Sequence, residues 1–137
     1  MKNCSIGALS LLVLLPVIAY AAAAQKPIID SYLAAAKAES PAFSGFSAER
    51  GKLFFLAKNE ASPDTPSCTT CHTADPTRAG QTRAGKDVAP MAVSKTPDRF
   101  TDAEKVEKWF TRNCQSVLGR ICTAQEKGDF ITFMASL

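Results

Sequence analysis

The sequence lacks several features that would each indicate a particular class of protein. Its 137 residues include 16 Lys+Arg and 13 Asp+Glu, giving a formal net charge of +3. No basic block exceeds two residues, and this weak, dispersed charge excludes an electrostatic nucleic-acid footprint. The chain also has no internal repeat and no alternating pattern long enough for a useful β-strand. Because 46% of the residues are hydrophobic, disorder is excluded too, and one small all-α domain is predicted.

A long apolar run is present only at the N-terminus. A basic residue at position 2 precedes the apolar segment 6–19, and small residues follow it. This order is typical of a secretory signal peptide and predicts cleavage after Ala21 or Ala24. The run contains a proline and is shorter than the about 20 residues that a transmembrane anchor needs. We therefore expect residues 1–24 to be removed, Cys4 among them, leaving a periplasmic protein without a stable membrane anchor.

Helical periodicity predicts four helices in the mature chain. They are a helix at 27–40 that begins at Pro27, one at 48–58 with Ser47 as N-cap, one opened by a capping box at 101–104 and stopped at Gly119, and one opened by a capping box at 123–126. The apolar stripe of the third helix comprises Val106, Trp109, Phe110, Asn113 and Val117, and that of the fourth comprises Phe130, Ile131, Phe133, Met134 and Leu137. Residues 25–46 form an N-terminal helix and linker, residues 47–137 form the main domain, and the segment 59–101 is a long loop rich in proline and glycine.

This loop contains the motif Cys68-Thr69-Thr70-Cys71-His72. Cys-x-x-Cys-His is the attachment pattern of c-type haem. Two thiols at this spacing add to vinyl groups at one porphyrin edge, and the adjacent imidazole reaches the iron as its proximal ligand. The motif predicts one covalent haem c held by Cys68 and Cys71 and ligated by His72. Covalent attachment would also account for order in so long a loop.

Three other interpretations fit these residues less well. A thioredoxin-like redox pair needs a βαβ context, which the pattern does not predict. A zinc site usually takes four ligands, whereas Cys68, Cys71 and the single histidine supply three. A plain disulfide between the two cysteines would leave His72 as an ordinary loop residue.

The sixth iron ligand is not a second histidine, because the chain has only one. The other candidates are Met91, Met134, Asn113, a lysine or an open site. Met134 lies on the apolar face of the last helix, so core packing is its better interpretation. Met91 lies in the loop and would give an ordinary His/Met electron carrier. Asn113 is an amide within an apolar stripe and therefore needs a partner; periodicity alone favours a helix cap or a backbone carbonyl over the distal haem face.

Two further cysteines, Cys114 and Cys122, flank the end of the third helix. In an exported protein a disulfide between them is favoured over two free thiols. The bond would close a loop of about nine residues and contribute roughly 2–3 kcal/mol. A redox-switchable bond beside Asn113 is a further hypothesis.

At this point residues 47–137 resemble a known family. The resemblance is carried by CHTADP at 71–76, DRFTD at 98–102, KVEKWF at 105–110, RNC at 112–114, LGR at 118–120 and CTAQEK at 122–127. These segments resemble the sphaeroides haem protein (SHP) family of oxygen-binding c-type cytochromes, also called DUF1924, which is related to cytochrome c-double-prime. The pair RNC and CTAQEK is specific to that family.

The resemblance implies a class I cytochrome c-like fold, to which the helix predicted at 27–40 adds an extra N-terminal helix. It implies that Asn113 is the distal iron ligand, bound in the oxidised form and released on reduction, so that ferrous haem takes up O2 or NO. It also implies the Cys114–Cys122 disulfide, and a dihaem cytochrome c and a membrane cytochrome b as electron donors. Cytochrome c-double-prime has histidine at the ligand position, so Asn113 places this chain with the oxygen-binding members.

The combined prediction is a periplasmic monohaem c-type cytochrome that transfers one electron and binds a diatomic ligand, O2, NO or CO. A carrier or gas-binding protein is favoured over an enzyme, the enzymatic alternative being a terminal oxidoreductase of low activity. The main alternative is a plain His72/Met91 electron carrier, and a haem-based sensor domain is a third. Four basic residues are candidate partners for the haem propionates: Arg78, Arg83, Lys86 and Arg99.

Overall fold

The computed structural model describes residues 18–137, with side chains from residue 23 onward. The elements are α1 (Ile18–Glu39), α2 (Ala48–Leu56), α3 (Thr69–His72), β1 (Gly80–Gln81), β2 (Asp87–Val88), α4 (Ala103–Leu118) and α5 (Ala124–Ala135). The predicted all-α class is confirmed. The one-turn helix α3 and the antiparallel hairpin β1–β2 lie within the predicted loop and were not predicted. Of the helices in this described part of the chain, none has the length and apolar composition needed to span a membrane.

Helix α1 begins before the predicted start. Pro27 lies inside the helix rather than at its first position. Alanine has the highest helix propensity of any residue, and the run of alanines before Pro27 extends the helix toward the N-terminus. Most of the predicted signal peptide, residues 1–17, lies outside the described residues. One face of α1 packs against α5 and buries Ile28, Tyr32 and Ala36. The N-terminal helix therefore shares the core of the main domain.

Helices α2 and α5 cross at very short range, and glycine makes this possible. A methyl group at Gly51 would lie 2.0 Å from the backbone carbonyl oxygen of Asp129 and 2.9 Å from Cβ of Phe133. Next to this crossing, the fully buried ring of Phe55 lies 6.1 Å from the ring centroids of both Phe130 and Phe133. The crossing thus forms the centre of the aromatic core.

A buried carboxylate links these two helices. Asp129 on α5 accepts hydrogen bonds from Arg50 Nε at 2.7 Å and Nη2 at 2.8 Å, and from the backbone N–H of Ser47 at 2.6 Å. Ser47 is the predicted N-cap of α2, and its hydroxyl accepts from the N–H of Arg50. Removing one of these donors would leave the buried carboxylate partly unpaired, which would destabilise the fold.

Three predicted helix ends are confirmed, counting the N-cap Ser47 described above, and one is wrong. The capping box at Thr123 and Glu126 is confirmed, as is Gly119 as the left-handed C-cap of α4. The box predicted to start at Thr101 is wrong, because the N-cap of α4 is Asp102, whose carboxylate accepts from the N–H of Lys105. The Thr101 hydroxyl instead donates to the carbonyl of Asp98.

The buried face of α4 is rotated from the predicted stripe. Its buried residues are Val106, Phe110, Cys114 and Val117. Trp109 is 48% exposed and Asn113 is exposed, so these two members of the predicted apolar stripe are not covered by other residues of the described chain. At 100° per residue, Asn113 lies roughly 55° from the centre of the observed face. The rotation occurs because Phe110 packs against Phe130 and Tyr32, at centroid distances of 5.5 and 6.1 Å.

Helix α1 is also attached to α4 and α5 by a polar cluster. The Tyr32 hydroxyl donates to Glu107 Oε1, and Lys127 Nζ donates to both carboxylate oxygens of Glu107 at 2.8 and 3.1 Å. Burial, followed by the bond to Glu107, raises the pKa of Tyr32 far above its ordinary value. Tyr32 is therefore a permanent donor here.

The predicted buried face of α5 is confirmed except at Leu137, which lies beyond the end of the helix and is 39% exposed.

Candidate haem-binding site

The cysteines and histidine of the motif are brought together by α3, a single helical turn. The N–H groups of Cys71 and His72 both donate to the carbonyl of Cys68, at 3.3 and 3.2 Å. In such a turn, residues three apart lie on the same side, so the two thiols face one direction. Both are free and partly buried. The geometry thus presents two thiols together, with the imidazole immediately after them.

The protonation states of these groups argue against a thiol redox pair. Burial raises the pKa of the Cys68 thiol to about 11, with a smaller contribution from Cys71. Reactive Cys-x-x-Cys pairs have a thiol with a lowered pKa. Burial, and secondarily the charge of Arg99, lowers the pKa of His72, which favours the neutral imidazole that binds metals.

The motif is fixed against the rest of the loop by close backbone packing. A methyl group at Gly80 would lie 1.9 Å from the carbonyl oxygen of Cys71, so β1 packs directly on α3. On the other side, the carbonyl of Pro76 accepts from the N–H groups of Met91 and Ala92, each at 2.9 Å. The loop therefore has a defined backbone around the thiols.

The residues present fit a covalently attached haem. Nδ1 of His72 is buried without a hydrogen-bond partner among the described residues, so no protein group in this part of the chain competes with a metal for the imidazole. No cluster of three or more His, Cys, Asp and Glu able to hold a metal ion is found within the described chain. Two thiols and one imidazole are what haem attachment requires.

Asn113 lies on α4, outside the protein core. Its neighbour Cys114 is buried, whereas Asn113 and Trp109, one turn earlier, share a face that no element within residues 18–137 covers. Arg112 stacks on the Trp109 ring at 5.2 Å from its centroid. The end of α4 contacts the segment just before the Cys-x-x-Cys-His motif, because the Thr65 hydroxyl donates to the carbonyl of Ser116 at 3.1 Å. Asn113 and His72 share no hydrogen bond in the described part of the chain.

The two methionines considered as ligands are both buried. Met134 is completely buried in the aromatic core, and its carbonyl accepts from the N–H of Val93 at 3.0 Å. Met91 is buried too, and its backbone is bonded to Pro76, four residues after His72. The backbone of Met91 is therefore fixed close in the fold to the segment that follows His72.

Cys114 and Cys122 are brought together as the sequence predicted. Their sulfur atoms are bonded, with the Cα atoms 5.7 Å apart and a sequence separation of 8. Both are buried. The bond lies beside Asn113 and joins the last turns of α4 to the start of α5.

Replacing both cysteines, as Cys114→Ala/Cys122→Ala, is expected to lower the free energy of unfolding by roughly 2–3 kcal/mol, because the unfolded chain regains the entropy of a closed loop. Urea unfolding followed by circular dichroism measures this loss. The exposed Ser116→Ala is the control, with an expected change below about 0.5 kcal/mol. A double variant as stable as the wild type would contradict the prediction.

Sequence reasoning missed two buried polar residues that hold elements of the fold together. Gln25 is fully buried, and its Nε2 donates to the carbonyls of Pro97 and Arg99, at 3.0 and 2.7 Å. Asp129 is the buried partner of Arg50. The only sequence signal for Asp129 is its position inside an apolar helix face. Gln25 gave no signal, because it follows directly on the predicted cleavage site.

A single helical turn carrying Cys-x-x-Cys-His, packed within a small helical fold, defines a c-type cytochrome with one haem. Comparison with known proteins identifies its family. The model of the Domain of unknown function DUF1924 matches residues 41–134. The chain is 56% identical over 110 residues to the cytochrome c-type protein SHP of Cereibacter sphaeroides, covering 80% of this chain and 81% of that protein. It is 34% identical over 109 residues to cytochrome c'' of Methylophilus methylotrophus, covering 78% and 76%.

Solved structures give the same result. Oxidised SHP, described as an oxygen binding cytochrome c, superposes with a TM-score of 0.75 at 53% identity, covering 82% of this chain and 96% of that one. Oxidised cytochrome c'' superposes with a TM-score of 0.73 at 32% identity, covering 82% and 93%. The chain belongs to the DUF1924 family, together with these c-type cytochromes. The predicted family is confirmed, and the protein carries a covalently attached haem c.

Proposed function

We propose that this protein is a periplasmic one-electron cytochrome whose sixth iron ligand, Asn113, is released on reduction to admit a diatomic gas. Cys68 and Cys71 hold the haem through thioethers, and His72 is the proximal ligand. When bound, haem c supplies an iron centre that changes oxidation state by one electron and takes diatomic ligands. The observation that carries the proposal is that Asn113 lies on an uncovered face of α4, while both methionines are buried elsewhere.

The chemistry of Asn113 suits a ligand that can leave. Its side chain is a neutral amide, which binds a ferric ion weakly and a ferrous ion more weakly still, because the attraction falls with the charge. Release requires only a side-chain movement, since α4 is fixed on both sides of Asn113. The neighbouring Cys114–Cys122 bond and the Gly119 cap hold the helix end, and Phe110 holds the preceding turn in the core.

The similarity to SHP supports the binding of oxygen. The SHP structure is described as that of an oxygen binding cytochrome c, and we extend oxygen binding to this chain on the basis of 56% identity. Export rests on the pattern at 1–24 and on the disulfide, which persists in oxidising compartments. Electron delivery by a dihaem cytochrome c or a membrane cytochrome b stays a prediction from the family resemblance.

The plain electron carrier and the gas-binding protein are distinguished by carbon monoxide. We expect the dithionite-reduced protein to show a high-spin visible spectrum that changes to a different, low-spin spectrum when carbon monoxide is added. The reason is that a vacated sixth position is open to the gas. Met91→Leu serves as the matched control and should behave as the wild type. A reduced spectrum that is already low-spin and does not respond to carbon monoxide would refute the proposal.

A further inference from the structure

Among the residues of α1 whose side chains are described, Gln25 is the first to be buried. It is fully buried, whereas the two residues before it, Ala23 and Ala24, are exposed. Gln25 lies three positions before the buried Ile28, so it extends toward the N-terminus the face of α1 that packs against α5. Glutamine is seldom fully buried, because its amide must then find partners inside the protein. The side chain is therefore expected to make a specific contact.

The amide of Gln25 fixes the segment that precedes α4. Its Nε2 donates to the carbonyl of Pro97 at 3.0 Å and to that of Arg99 at 2.7 Å, so both N–H groups of the primary amide are used. The next residue, Phe100, has a φ of 61°, a left-handed conformation that a bulky residue adopts only where its surroundings impose it. Losing this donor would leave two carbonyls of a constrained segment without their bonds, which is costly.

Gln25 also adjoins the predicted signal-peptide cleavage sites. Cleavage after Ala24 would make Gln25 the first residue of the mature chain, whereas cleavage after Ala21 would leave three alanines before it. Both peptide bonds lie inside α1, which spans Ile18–Glu39, so the cut has to precede formation of this helix. The sequence pattern leaves the two sites open, but their products differ in whether they can form the contact of Gln25.

A chain that begins with Gln25 would lose the primary amide. The free α-amino nitrogen of an N-terminal glutamine attacks its own Cδ, the Cδ–Nε2 bond breaks, and Nε2 leaves as ammonia with a proton from the amine. The product is a cyclic lactam, and the reaction needs no other reactant. A lactam has one N–H group in place of the two of a primary amide. It therefore cannot donate to both Pro97 and Arg99.

We propose that the mature protein begins at Ala22, after cleavage behind Ala21, and that residues 22–24 preserve the amide of Gln25. When Ala24 precedes it, the nitrogen of Gln25 belongs to a peptide bond and does not attack the side chain. The three alanines also move the charged α-amino group away from the buried contact. The proposal rests on the export included in the proposed function, and it is independent of the iron ligands and of gas binding.

The first test determines the N-terminus of the holo-protein purified from the periplasm, by intact mass and N-terminal sequencing. We expect a single chain that begins at Ala22. A chain that begins at Gln25, either intact or lighter by one ammonia, would overturn the proposal, as would a start at any other position. A chain that still begins at Met1 would refute export as well, so the two failures are distinguishable.

The second test shifts the cleavage site with two matched variants. A small residue is needed just before the cut, so Ala24→Leu blocks the second site and should be processed like the wild type. Ala21→Leu leaves Ala22-Ala23-Ala24 as the remaining site, and we expect a product that begins at position 25 and is lighter by one ammonia. In this product the amide hydrogens of α1 should exchange roughly tenfold faster, which is the factor expected for the loss of about one net hydrogen bond.

Wild-type exchange in the shortened product would show that the amide of Gln25 is not needed, and an uncyclised Gln25 at its N-terminus would show that no preceding residues are needed to preserve it. Either result would overturn the proposal. If Ala21→Leu is not processed, Gln25→Met replaces it, because methionine has a similar shape but no donor. Faster exchange in α1 of Gln25→Met supports the role of the amide, and wild-type exchange overturns it.

Discussion

Asn113→Ala is expected to convert the oxidised protein from low-spin to high-spin while leaving the haem covalently attached. The reason is that alanine has no oxygen or nitrogen to offer the iron, whereas Cys68, Cys71 and His72 lie on another element and are untouched. The low-spin bands of the ferric visible spectrum should be lost almost completely. Because Asn113 is exposed in the polypeptide, stability should change by less than about 1 kcal/mol.

The controls for this experiment are the two methionines. Met91→Leu and Met134→Leu preserve buried volume and should keep the low-spin ferric spectrum. Electron paramagnetic resonance of the three variants provides an independent measure of spin state. A low-spin Asn113→Ala together with a high-spin Met91→Leu would show that Met91 is the ligand, and the protein would then be an ordinary His/Met carrier.

Gly51→Ala is expected to lower the free energy of unfolding by about 3 kcal/mol, near the upper end of what overpacking usually costs. In a helix, alanine is favoured over glycine by about 1 kcal/mol, so helix propensity alone predicts a gain. Against that, the new methyl group would lie 2.0 Å from the carbonyl oxygen of Asp129. Because this atom belongs to the backbone of α5, the two helices would have to move apart.

Urea unfolding followed by circular dichroism measures the change. Lys52→Ala, at the next position of α2 and exposed, is the matched control and should stay within about 0.5 kcal/mol of the wild type. A Gly51→Ala variant as stable as the wild type, or more stable, would show that the helices can separate at little cost.

The sequence predicts those parts of the fold that local chemistry determines. Thr123 and Glu126 form their capping box because both partners lie within four residues, and Gly119 ends α4 because glycine readily adopts the left-handed conformation. The Cys-x-x-Cys-His motif is equally local, since its geometry is that of one helical turn. Such features need no knowledge of the rest of the chain.

Features that depend on distant partners were not predictable in the same way. The exposed position of Asn113 depends on where Phe110 meets Phe130 and Tyr32, and helical periodicity cannot distinguish rotations of some 50° around the helix. Gln25 is separated from Arg99 by 74 positions. The hairpin β1–β2 has only two residues per strand, too few for any alternation to be recognised.

The bonds of Asp129 also constrain the order of events in folding. This carboxylate accepts from the first residues of α2 although it lies 79 positions away from Arg50, so the N-terminal turn of α2 is completed by a helix that is synthesised much later. Closing so large a loop is entropically costly and slows folding. We expect α2 and α5 to gain protection from hydrogen exchange together, as one cooperative unit. The segment 59–101 between them is then tethered at both ends, so haem attachment orders a closed loop rather than a free chain.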